Sequence, residues 1–86
     1  GMSRFIIPIL CTLCDKEAYS DCDAMSVNEI LLSELCCLYS YSGIYKSCQD
    51  LMQAGLITYG LQDGNAYTYY LTEKGKQYCK DRKLVD

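Results

Sequence analysis

The chain has 86 residues, half of them hydrophobic, with six Gly and one Pro. That is one small domain with a core of its own, and it excludes a two-domain enzyme, a linker or a disordered tail. Formal net charge is −3 and there is no His. The usual general base, the commonest nitrogen ligand for metals and the physiological pH switch are therefore missing. Residues 1–63 carry three basic and eight acidic side chains, residues 64–86 five basic and three acidic. This balance argues against coating nucleic acid by bulk electrostatics but leaves room for a local basic patch.

Gly1 before Met2 reads as an expression scar, leaving a single domain over residues 2–86. The apolar run Phe5-Ile6-Ile7-Pro8-Ile9-Leu10 is too short to span a bilayer, and no signal-peptide pattern is visible. The expected location is the cytoplasm, with no membrane contact.

Apolar residues at 6, 9, 10, 13 and 14, then Ala18, form one helical stripe. Pro8 fits the first turn of this helix, which should fade by about Glu17. Residues 15–25 hold Asp15, Glu17, Asp21 and Asp23 and read as a loop. Ser26-Val27-Asn28-Glu29 is a capping box opening a second helix near residues 27–38, with apolar positions 27, 30, 31, 35 and 38. Residues 39–43 read as a turn. A third helix, within about 42–54, places Ile44, Cys48, Leu51 and Met52 inward and stops at Gly55, a left-handed cap. The period then becomes alternating. Leu56 to Leu61 and Ala66 to Leu71 are expected strands around Asp63-Gly64, a tight-hairpin signal. Thr72 caps a last helix through about Arg82, with Gly75, Tyr78 and Cys79 toward the core.

Leu51-Met52-Gln53-Ala54-Gly55-Leu56-Ile57, a hairpin, then Tyr69-Tyr70-Leu71-Thr72-Glu73-Lys74-Gly75 resembles the winged helix-turn-helix regulators of the PadR and MarR type. The resemblance is specific over residues 44–79; the first two helices fit by pattern alone. It implies an α+β fold of three helices, a two-stranded β-hairpin wing and a C-terminal helix. It also implies a DNA-binding transcriptional regulator that reads duplex DNA with the third helix.

On that helix Ser42, Lys46, Gln49, Asp50 and Gln53 lie opposite the inward face, with Tyr45 on the flank. Lys and Gln reach phosphates or base edges, Tyr reaches sugar or phosphate, and Asp50 repels phosphate. Lys74 and Lys76 begin a basic segment continued by Lys80, Arg82 and Lys83. The expected DNA contacts are Ser42, Tyr45, Lys46, Gln49, Gln53, Lys74 and Lys76. The wing tip, Gln62-Asp63-Gly64-Asn65, departs from the pattern, since DNA-binding wings usually carry Arg or Lys. That departure and the acidic front keep open an alternative, a winged helix used as a protein-interaction module.

Of the nine tyrosines, Tyr67, Tyr69 and Tyr78 are expected in the core, while Tyr39, Tyr41 and Tyr45 bracket the start of the third helix. Exposed tyrosines are common interface anchors. A homodimer would have to use the first helix or the short C-terminal one, because the chain ends at Asp86 without an added long helix. The seven cysteines read mainly as small buried apolar side chains. Cys11-x-x-Cys14 lacks a convincing second pair for zinc, so neither metal nor cofactor is expected. With no nucleophile elbow, phosphate loop or His, an enzyme is not expected.

Overall fold

The computed structural model describes residues 5–84. Four helices, α1 (Ile6–Asp15), α2 (Val27–Leu31), α3 (Tyr41–Gln53) and α4 (Glu73–Asp81), pack with three strands, β1 (Met25–Ser26), β2 (Ile57–Tyr59) and β3 (Thr68–Leu71). The sheet is antiparallel in the order β1-β3-β2. Its core rests on Ile9, Leu10 and Leu13 of α1, Ile30 of α2, Ile44, Cys48 and Leu51 of α3, and Leu56, Ile57, Tyr69 and Leu71 around the hairpin.

β2 and β3 form the expected two-stranded wing, and β1 adds a third strand to its sheet. Met25 pairs with Tyr69 and Ser26 with Thr68. The stretch read as loop thus ends in a strand, preceded by a 3-10 turn at Asp21–Asp23. Ser26 then changes task. Its hydroxyl accepts from the Glu29 N–H at 3.2 Å while the Glu29 carboxylate accepts from the Ser26 N–H at 3.0 Å, completing the capping box.

The second helix is much shorter than the 27–38 expected. After Leu31 the backbone bonds become i→i−3, from Ser33 N–H to Ile30, Cys36 N–H to Ser33 and Tyr39 N–H to Cys36, each at 3.0 Å. A spacing of three residues replaces 3.6, so side chains three apart line up. Ser33, Cys36 and Tyr39 turn toward α1. The Ser33 and Thr12 hydroxyls lie 2.9 Å apart, and Cys36 Sγ is 3.6 Å from the Thr12 hydroxyl. Leu32, Leu35 and Leu38 turn outward, 84%, 53% and 93% exposed, although 35 and 38 were expected on the buried stripe. The residues expected as a turn already contain the start of α3, at Tyr41.

The strands are also shorter than read, because register ends where the hairpin leaves the core. Ile57 pairs with Leu71, Thr58 with Tyr70 and Tyr59 with Tyr69. A separate bridge joins Asp63 to Ala66, with Gly64 at φ +64° in open space.

Three helices end the same way. At α3, Gly55 (φ +78°) donates to the Met52 carbonyl and Leu56 to that of Leu51, both at 3.0 Å. α1 has Glu17 (φ +53°) in the corresponding place, and α4 ends with Lys83 (φ +59°).

Candidate nucleic-acid interface

α3 starts at Ser40, whose hydroxyl accepts from the Gly43 N–H at 3.1 Å. Phe5 stacks on Tyr39 with centroids 4.3 Å apart, and the Phe5 ring lies where a Cβ on Gly43 would go. This fixes the entry of the helix against α1. The first turn of α3 contains no acidic residue, so its N-terminal partial positive charge is not neutralised from within.

The inward face is Ile44, Ser47, Cys48 and Leu51, all buried. Outward lie Tyr41, Ser42, Tyr45 and Lys46, all exposed. Among the described residues no ion pair involves Lys46. Gln49 and Asp50 are half-buried and Gln53 is exposed. The five expected contacts on this helix therefore share it, but Gln49 is partly engaged. Its amide N–H donates to the Tyr69 hydroxyl at 3.3 Å. Tyr69 is fully buried, and burial pushes its phenol well above the usual tyrosine range, with Cys48, Tyr59 and Tyr45 adding to the shift and the Gln49 hydrogen bond opposing it.

Lys74 and Lys76 lie elsewhere. Lys74 Nζ donates to the Ala54 carbonyl at 2.8 Å, so it binds the C-terminal end of α3, where a cation suits the helix dipole. Lys76 is on the other side of α4, about 200° around the helix. It pairs with Glu73 at 2.9 Å and stands 5.1 Å from the Tyr19 ring centroid. The Lys76 hydrogen bond and charge hold the Glu73 carboxyl below its ordinary range.

A group of residues missed by sequence reasoning borders α3. Tyr59 lies 5.0 Å from Tyr67 and 5.5 Å from Tyr69 by ring centroids. Tyr67 was expected in the core, but it lies just before β3, outside the paired residues, and is half exposed. Tyr78 is half-buried, with the Arg82 guanidinium 4.4 Å from its ring centroid. The available signal was the Tyr59–Tyr69 pairing, which depends on a register that sequence alone leaves open.

The cysteines divide by burial. Cys14, Cys36, Cys48 and Cys79 are buried, and Cys22 and Cys37 exposed. Burial pushes the Cys48 and Cys79 thiols up to about 12, helped at Cys79 by a hydrogen bond with Cys14, so both stay neutral apolar groups. Among the described residues no cluster of three His, Cys, Asp or Glu side chains could hold a metal. None of the described helices is long and apolar enough to cross a membrane.

A separate groove is lined by Asp15, Asp23, Glu29 and Glu34 against one cation, Lys16, together with Leu32 and Leu35. It is acidic where the α3 face is not.

The architecture is similar to that of TubR from Bacillus megaterium pBM400, with a TM-score of 0.77 over 96% of this chain and 88% of that one, at 24% sequence identity. The chain folds as a winged helix. No protein-family model and no curated protein sequence matches it. The winged helix carries one addition to the expected pattern, the short β1 on the far side of β3.

Proposed function

We propose that this winged helix binds double-stranded DNA through the outer face of α3 and acts as a small cytoplasmic transcriptional regulator. The observation that carries the proposal is the N-terminal half of α3. It presents Tyr41, Ser42, Tyr45 and Lys46 to solvent, with no acid in its first turn. Hydroxyls, an ammonium and a helix N-terminus are donors suited to phosphate and to base edges. The PadR/MarR likeness over residues 44–79 supports the same element as the reader. Lys74 and Lys76 contribute less than the sequence suggests, since each already holds a partner within the fold.

The test is fluorescence anisotropy on duplex DNA from around the chain's own coding region, over a series of salt concentrations. The parent protein is expected to bind with a salt-dependent affinity, and Lys46→Ala to flatten the log–log slope by about one unit while leaving the fold intact. Absence of salt-dependent binding even at low ionic strength would overturn the proposal.

A second proposal, a protein-interaction module, is favoured by one feature. The leucine row of residues 32, 35 and 38 is exposed, and its first two members line the acidic groove. Exposed apolar patches of this kind mark interfaces. A homodimer formed there would also place the expected dimer contact next to α1, because Leu35 lines a second groove with Cys11 and Cys14.

A further inference from the structure

The wing has no cation at its tip, yet it is not featureless. Tyr41, Tyr45 and Gln49 follow one another at four-residue spacing along α3, so they form one stripe. Gln49 donates to Tyr69, Tyr69 packs on Tyr59, and Tyr59 packs on Tyr67. The stripe on α3 is therefore joined to the hairpin through the buried Tyr69, with Tyr59 and Tyr67 exposed beyond it. Every member is uncharged. Tyr41, Tyr45, Tyr59 and Tyr67 are 52%, 42%, 41% and 51% exposed, so each shows part of its ring or its hydroxyl to solvent.

The rings of Tyr59 and Tyr67 are already ordered by packing on each other, so contact through them immobilises little further side-chain freedom. A phenol offers an apolar ring and a strong donor on one rigid side chain. That combination matches the wall of a duplex, where deoxyribose is apolar and phosphate accepts hydrogen bonds. The attachment of the hairpin tyrosines to α3 through Gln49 and Tyr69 decides between occupants, because a duplex seated on the outer face of α3 would have these rings beside it. Tyr69 takes no part in such contact, being buried.

We infer that Tyr59 and Tyr67 are a neutral DNA-backbone contact, in which the wing donates phenolic hydrogen bonds to phosphate instead of the ion pairs of a basic wing. This rests on the DNA-binding proposal for α3. It has a signature that a basic wing lacks. Counterion release scales with the number of cations that neutralise phosphates, so neutral donors raise affinity without raising the salt slope.

The experiment measures binding of a fluorescein-labelled mixed-sequence duplex by the full chain across a potassium chloride series. It compares the parent with Tyr59→Phe, Tyr67→Phe and the double variant. Phe keeps the ring packing and removes only the hydroxyl, and thermal melts check that the fold is retained. The double variant is expected to bind about tenfold or more weakly at every salt concentration, with an unchanged log–log slope. Lys46→Ala, run alongside, changes the slope. If the parent binds duplex and the double variant binds equally well, the tyrosine contact is overturned while the role of α3 stands. A slope lowered by about one unit in the double variant would overturn it too, since a cation contact would then have been lost. If the parent binds no duplex at low salt, both proposals fall, and the strip becomes a surface for a protein partner.

Discussion

The corner where α3 meets α4 and the segment that joins α2 to α3 are built in opposite ways. At the corner, four residues act on the backbone that leaves α3, three of them from 17 to 20 positions away in the chain. Gly55 turns the chain in a left-handed conformation, and the Thr72 hydroxyl donates to the Gly55 carbonyl at 2.6 Å while accepting from the Gly75 N–H at 3.0 Å. Lys74 holds the Ala54 carbonyl, and Gly75 lies flat against the Leu56 carbonyl. The segment between α2 and α3 is turned by the Ser33 hydroxyl, which accepts from the Leu35 N–H at 3.2 Å, and ends at the Ser40 cap of α3. Its path follows from where Ser33 and Cys36 meet Thr12 on a distant helix, and its leucines are left outside. The corner is tied to backbone at several points, whereas the segment is held to α1 through side chains and leaves its leucines outside.

The sharpest way to break this comparison is Gly75→Ala. Helix propensity alone favours Ala by about 1 kcal/mol. A Cβ there would instead run into the Leu56 carbonyl oxygen, which is backbone and cannot swing aside. A net loss of about 3 kcal/mol is expected in urea denaturation, the upper range for overpacking. A stabilised variant would mean that the two elements do not approach as closely as described.

Next in size is Gly55→Val, at about 2 kcal/mol, because a β-branched residue resists positive φ. Space is not the cause, since the nearest side-chain atoms, on Lys74, are 3.7 and 3.8 Å from the added Cβ. Gly64→Asn provides the contrast. That site also has positive φ but lies in open space, and Asn tolerates the conformation, so a change under about 0.5 kcal/mol is expected. Equal thermal midpoints for Gly55→Val and the parent would remove the corner from the comparison.

The smallest effect is expected in the connecting segment. Leu38→Ser should change stability by less than about 0.5 kcal/mol, since the side chain is 93% exposed. A buried leucine would cost several times more, at about 2–5 kcal/mol for truncation to Ala. A loss of that size in urea denaturation would show Leu38 covered, and repeating the measurement across protein concentrations separates cover by a second copy from cover within one chain.

The same contrast runs through the candidate site. The α3 face was legible, because inward Ile44, Cys48 and Leu51 at helical spacing leave Ser42, Tyr45, Lys46 and Gln53 on the other side. The other half was not. Lys74 and Lys76 look alike in sequence, yet one binds the end of α3 and the other a carboxylate on its own helix. Alternation placed Tyr67 with Tyr69 and Leu71, but burial follows only as far as the hairpin remains over the core.

Sequence by itself determined the run from α3 through the hairpin to α4. Its boundaries rest on Gly55, Asp63-Gly64 and Thr72, residues whose conformational or capping role is local to a few bonds. Tertiary structure alone decided the length of α2, the existence of β1 and the tyrosine strip. β1 is two residues long and exists only because Thr68 and Tyr69 offer it a free edge. α2 stops where the backbone tightens to bring Ser33 and Cys36 to Thr12, and the tyrosines meet only once the β2–β3 register is set. In each case the partner is remote in sequence, and a local pattern carries no record of what will pack against it.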